Sequence, residues 1–306
     1  MTDYTLIIDS CCELSRSVWD REDVIMLHFT YQDDGESHTD DLFESITAHE
    51  FYNIIRAGGT PMTSQPSQAE FEEAFRSCAQ AGKPGVYLAF SSGISGAYEG
   101  ACVALERVRA EYPDSELYVL DLQIGSTPQS LLIADAIRHK DEGLTAAELV
   151  AWADEARFYA QTIFMVDDLD ALARGGRIPA GVAFAGSKLD VKPLLNFDLQ
   201  GKLGMCGVAR GRKKGLHVMA DFYKKNRDKV GTQLVYIGNA DCPEDGERLA
   251  QLIHAIEPKA QIVFTNIGPT IGSHVGPGMV SCCFWGGDRR ENVSVSDRIA
   301  RKVKKN

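Results

Sequence analysis

Along the first half of the chain, short apolar runs alternate with stretches in which apolar residues recur every three or four positions. The runs predict strands at Thr5 to Asp9, Val24 to Thr30, Val86 to Phe90, Leu117 to Leu120 and Thr162 to Val166. Between them, Phe51, Ile54 and Ile55, then Phe71, Ala74, Phe75 and Cys78, then Ala97, Ala101, Leu105 and Val108 each mark one apolar helical face. Thr145-Ala-Ala-Glu148 has the form of a capping box and opens a further helix, expected to run to about Tyr159. Strand and helix alternating in this way build parallel sheets with crossover helices.

The second half has another texture. Leu189 to Phe197 and Lys202 to Ala209 flank the turn-like Asp198-Leu-Gln-Gly201, which predicts an antiparallel hairpin. A helix from about Lys213 to Asn226, a strand at Gln233 to Ile237, a helix at Glu244 to Ile256 and a strand at Gln261 to Thr265 follow. We place a domain boundary near residue 160, dividing the chain into 1–160 and 161–306. A chain of 306 residues is long enough for two such domains, each with its own core.

Composition narrows the function. A net charge of −11 argues against a nucleic-acid surface, which needs clustered cations. The one basic cluster, Arg298, Arg301, Lys302, Lys304 and Lys305, reads as a solvated helix end. The opening MTDYTLIIDS is neither a secretory signal nor a transmembrane span, and no apolar run is long enough to cross a bilayer. Eight cysteines show no C-x-x-C pair and no histidine at metal spacing, so they read as reduced thiols of a cytoplasmic protein without a metal site.

Candidate chemistry gathers in a few turns. Val86 to Phe90 leads into Ser91-Ser-Gly-Ile-Ser95-Gly-Ala-Tyr98, a strand, a Ser/Gly turn and a helix start. Such a turn aims backbone N–H groups and the hydroxyls of Ser92 and Ser95 at a carboxylate or phosphate, or else merely caps a crossover helix. In Pro61-Met-Thr63-Ser64-Gln-Pro66-Ser67, Pro66 stiffens the segment from which Thr63 projects. Arg174-Gly-Gly-Arg177 can hold a guanidinium against an anion or end a helix. Arg210-Gly-Arg212-Lys213-Lys214 adds further cations, and His274-Val-Gly-Pro-Gly278 sets an imidazole beside a loop poor in side chains. Gly93-Ile-Ser95-Gly-Ala97 falls one position short of a nucleophile elbow, leaving open a hydrolase built on Ser95 and His274. Neither G-x-x-x-x-G-K-[ST] nor G-x-G-x-x-G occurs.

Taken in order, Ile8-Asp9-Ser10, Thr63-Ser-Gln-Pro-Ser67, Ser91 to Tyr98, Arg174-Gly-Gly-Arg-Ile178, Lys192-Pro-Leu, Gly201-Lys-Leu, Arg210 and His274-Val-Gly-Pro-Gly278 resemble the DegV family, which includes the fatty-acid-binding subunit of the bacterial fatty-acid kinase system. The resemblance implies a two-domain α/β fold, with an N-terminal Rossmann-like parallel sheet and a C-terminal α+β domain whose sheet is largely antiparallel. It implies a long-chain fatty acid in an apolar tunnel at the domain interface, no other cofactor, and a partner kinase that makes the acyl-phosphate. Its binding residues map onto Thr63 and Ser95, with Ser64, Ser92 and Gly96 beside them. Arg177, Arg210 and His274 map onto head-group or kinase-facing positions. Cys11-Cys12, Arg174, Gly93-Ile94 and Ala97 depart from the family pattern near the expected ligand.

Overall fold

The computed structural model describes residues 3–179, 190–230 and 233–292; Leu189 and the basic cluster from Arg298 to Lys305 lie outside them. A parallel sheet comes first, made of β1 (Thr5–Asp9), β2 (Val24–Leu27), β6 (Gly85–Ala89) and β7 (Leu117–Asp121) in the order β2-β1-β6-β7. Helices α3 (Gln68–Gln80) and α4 (Ala97–Glu111) are its crossovers; their apolar faces bury Phe71, Phe75, Ala101 and Val108 against Ile7 and Tyr87.

The expected strand Val24 to Thr30 is broken. Its second part, β3 (Thr30–Asp33), leaves the parallel sheet and pairs with β4 (Glu36–Thr39) and β5 (Met62–Ser64) in a small antiparallel sheet. The break sits at Phe29, whose N–H donates to Ser10 Oγ at 3.0 Å instead of continuing the ladder with β1. Asp34 and Gly35, both at positive φ (47° and 83°), form the tight β3–β4 turn, a conformation that glycine adopts without strain. Helix α2 (Ala48–Arg56), opened by a capping box of Thr47 and Glu50, follows β4.

The second large sheet runs β10-β9-β8-β13-β11-β12, from β8 (Ala160–Met165), β9 (Val191–Phe197), β10 (Leu203–Arg210), β11 (Leu234–Asn239), β12 (Gln261–Asn266) and β13 (Val280–Trp285). All its pairings are antiparallel except β11 with β12. The expected hairpin is β9–β10, closed by Gly201 at φ 73°. Helices α8 (Arg212–Asn226) and α9 (Pro243–Ile256) cover one face.

Between the sheets stands α5 (Thr127–Asp141), followed by α6 (Ala146–Ala156). Its Leu131 and Leu132 join Leu6, Ile8, Val86 and Leu88 of the parallel sheet to Tyr236 and Cys283 of the antiparallel one in a single core. The short α10 (Pro269–Val275) is held at its start by two buried carboxylates: Gly268 N–H donates to Glu13 and Thr270 N–H to Asp40.

Strand order reverses between β1 and β6, and in parallel sheets the crevice beyond the strand ends at such a point is where ligands bind. Buried Asp9 organises that edge, accepting from Tyr87 Oη at 2.9 Å, Phe90 N at 3.0 Å and Cys11 N at 3.1 Å. Burial outweighs these bonds and pushes its carboxyl up to about 6.

Candidate functional site

Beyond the β1/β6 edge lies a cavity between the two large sheets. Its walls are mainly apolar. Phe29 enters from the β2–β3 link, Phe90 from the end of β6, Phe164 from β8, Phe197 from β9, and Ile271 from α10. On the strands, Phe164 and Phe197 occupy positions whose side chains take the cavity-facing side of the sheet.

At one end four polar side chains converge: Thr63, Ser95, Arg177 and His274 all line the cavity. Thr63 sits on β5 opposite Tyr31, and its Oγ1 lies 2.8 Å from His274 Nε2. Burial first, and then the Arg177 charge, push the His274 imidazole down to about 4, so it is neutral at pH 7. Ser95 Oγ accepts from Ala97 N–H at 3.2 Å at the start of α4 and keeps its own proton to donate.

Arg177 follows α7 (Asp170–Arg174) through the two-glycine turn. Its Nε donates to Ile94 O at 3.1 Å and its Nη1 to Gly175 O at 2.5 Å. Among the described residues no carboxylate pairs with it and Nη2 has no protein acceptor. Burial lowers its pKa below the usual arginine range. A half-buried guanidinium without a counter-ion, beside two hydroxyls and a neutral imidazole, is a site for an anion.

Four other candidate positions lie off the cavity wall. Ser92 donates its hydroxyl to Asp121 Oδ2 at 2.6 Å and its N–H to Oδ1 at 3.1 Å, so it fastens the turn to the end of β7. Ser64 is exposed because it neighbours inward-facing Thr63 on a strand, where successive side chains take opposite faces. Gly96 is exposed at the N-cap of α4, against the Gln65 side chain. Arg210 ends β10 with its side chain in solvent. The neighbouring cations are tied up: Lys192 and Arg212 share Asp167 at 2.8 and 2.7 Å, and Arg212 also reaches Asp245.

The hydrolase arrangement is not assembled. His274 Nε2 faces Thr63, no hydrogen bond joins it to Ser95, and no carboxylate bonds either of its nitrogens among the described residues. Nor do the described residues hold a group of three His, Cys, Asp or Glu side chains suited to a metal, or a helix long and apolar enough to cross a membrane.

Sequence reasoning missed the hydroxyls of Thr127, Thr162 and Ser281 in the same cavity wall. Pro128 directly after Ser126-Thr127 was the available signal, since proline at a first helical turn marks where α5 begins.

Residues 4–286 match the family described as "uncharacterised protein, DegV family". A DegV domain-containing protein of Clostridium perfringens is 34% identical over 286 residues, covering 94% of this chain and 98% of that protein. Among solved structures, a fatty-acid-binding DegV family protein of Streptococcus agalactiae superposes with a TM-score of 0.81 at 25% identity, over 93% of this chain and 99% of that one. A stearic-acid-binding protein of Eubacterium ventriosum gives 0.79 at 26% identity, over 95% and 100%. A family match over residues 4–286 and a 34% identical relative covered over nearly its whole length have one common source: the chain belongs to the DegV family.

Proposed function

We propose that this protein binds one long-chain fatty acid, with its hydrocarbon in the apolar cavity and its carboxylate at Thr63, Ser95, Arg177 and His274. The observation that carries this reading is the unpaired Arg177 guanidinium at the polar end of an otherwise greasy space. The binding described for the Streptococcus agalactiae and Eubacterium ventriosum proteins points the same way. Each buried methylene contributes roughly 0.8 kcal/mol, so a tail of about 14 supplies on the order of 11 kcal/mol before ordering costs. The tail thus sets affinity. The polar cluster sets direction, because a carboxylate left without donors in such a site costs several kcal/mol.

The finer part of the proposal concerns what happens next. Thr63 stands between exposed Met62 and exposed Ser64, so the head-group end lies next to solvent. A separate ATP-dependent kinase docks there; a carboxylate oxygen of the bound acid attacks the γ-phosphorus, the bond to ADP breaks, and an acyl-phosphate results. The chain itself is a non-catalytic carrier. We read it as two domains dividing near residue 160, with the ligand between them, and its unpaired thiols suit the reducing cytoplasm.

Organic extraction of the purified protein followed by mass spectrometry tests the binding. About one fatty acid per chain is expected; a polar metabolite, or no lipid after incubation with stearic acid, rejects it. Acyl-phosphate formation with a purified fatty-acid kinase tests the second part.

A further inference from the structure

Away from the head-group cluster, the cavity wall carries a second set of hydroxyls. Thr127 at the start of α5, Thr162 on β8 and Ser281 on β13 all face the cavity and are buried, 0, 3 and 1% exposed. Thr127 Oγ1 and Ser281 Oγ lie 2.7 Å apart, and Gly238 N–H donates to Ser281 Oγ at 3.1 Å. The missing side chain at Gly238 makes room for them: a β-carbon there would sit 2.6 Å from each hydroxyl oxygen. Thr162 Oγ1 lies 3.0 Å from Cys283 Sγ. No bond of this set reaches Thr63, Ser95, Arg177 or His274.

A count of protons gives the set its meaning. Thr127 and Ser281 hold two hydroxyl protons, and their mutual bond uses one. The other finds no oxygen acceptor among the described residues; the sulfur of Cys283, a weak acceptor, is its alternative. Ser281 Oγ also answers the Gly238 N–H, but that bond uses a lone pair and leaves the proton count unchanged; a wall meant for saturated hydrocarbon would gain from valine at position 127 in place of an underused buried donor.

We propose that this wall recognises an acyl chain bearing an oxygen along its hydrocarbon, a hydroxyl or keto group that accepts the surplus proton of the Thr127–Ser281 pair. The proposal rests on the fatty-acid reading above and narrows its substrate class. On β13, Ser281 stands opposite Phe164 of β8, an apolar lining residue, and no hydrogen bond joins the Thr127–Ser281 pair to the head-group cluster, so the recognised oxygen is one carried along the hydrocarbon.

Calorimetric titration of the delipidated protein tests it, using stearic acid and a series of hydroxystearic acids that differ only in the carbon bearing the hydroxyl. At least one member should bind about tenfold more tightly than stearic acid, the worth of one well-placed hydrogen bond. In the Thr127→Val, Ser281→Ala double variant that ratio should fall to about one. A wild-type protein that binds no member more tightly than stearic acid overturns the proposal, and so does a preference that survives in the double variant. Because the wild-type series decides the matter alone, poor folding of the variant does not shield it. Stearic acid binding without preference leaves the carrier reading standing; failure of every acid to bind removes both.

Discussion

The α-carbon of Gly175 is pressed against the imidazole of His274: a β-carbon at that position would lie 2.3 Å from Nδ1. The glycine turn thus fixes one side of the ring while Thr63 Oγ1 meets the other. Gly175→Ala must displace the imidazole and break the bond to Thr63. We expect fatty-acid affinity to fall about tenfold, the worth of roughly 1.4 kcal/mol, measured as lipid retained after dialysis. Gly176→Ala, next door, has open space but a φ of 70°, so it should cost about 1–2 kcal/mol of stability by strain and leave the ring in place.

Thr63→Ala and Ser95→Ala each remove one hydroxyl donor from the polar end. Each should weaken binding by about three- to tenfold, as expected for the net loss of one neutral hydrogen bond. Neither residue belongs to the fully buried core. Thermal melts of the lipid-free variants should therefore overlay that of the parent, and equal lipid content in all three proteins would count against the head-group assignment.

Arg177→Gln removes the guanidinium charge at the cavity end. Hydrogen bonds to charged groups are worth about 1.5–3 kcal/mol, so the loss should exceed that from either hydroxyl, roughly ten- to a hundredfold. Competition against a fluorescent fatty acid would read it. A variant that bound as tightly as the parent would place the carboxylate elsewhere.

His274 gives the site a pH signature. Its imidazole titrates near 6.5 in the unfolded chain and at about 4 in the folded one, so its contribution to stability is complete above 6.5 and is lost as pH falls to 4. Asp9 and Asp40, both raised by burial to about 6, act in the opposite sense: the folded protein holds their protons below 6, and stability rises as pH falls from there toward 3.8. His274→Gln should therefore gain stability relative to the parent between pH 6.5 and 4. Urea denaturation at several pH values measures the difference between the two proteins; a gap that stays constant would show that folding leaves the His274 pKa unshifted.

The two large sheets were legible wherever the periodicity was clean, as in α3, α4, α6 and the β9–β10 hairpin. Helix α5 was not, because from Thr127 to Ile133 it is buried on every side and shows no stripe that could be told from a polar face. The β3–β4 turn carried its signal in Asp34-Gly35 but lacked apolar alternation around it, since β4 is exposed throughout. At the site, residue type singled out Thr63, Ser95, Arg177 and His274, which line the cavity. It could not separate Ser95 from Ser92 or Thr63 from Ser64, because which hydroxyl turns inward depends on Asp121 and on the pairing of β5 with β3, both remote in sequence.

Arg177 spans a seam. Through Nε it grips Ile94, in the loop that leaves the parallel sheet, and through Nη1 it grips Gly175, in the turn that leaves the antiparallel one. On the proposed reading, a carboxylate arriving on its remaining edge would fasten to a strap already stitched to both sheets, and loading the cavity and cohesion of the molecule would become one equilibrium. Ligand at about a hundred times its Kd would add about 2.7 kcal/mol to that cohesion. The stripped protein should come apart first along this stitch, where a protease would find its earliest foothold.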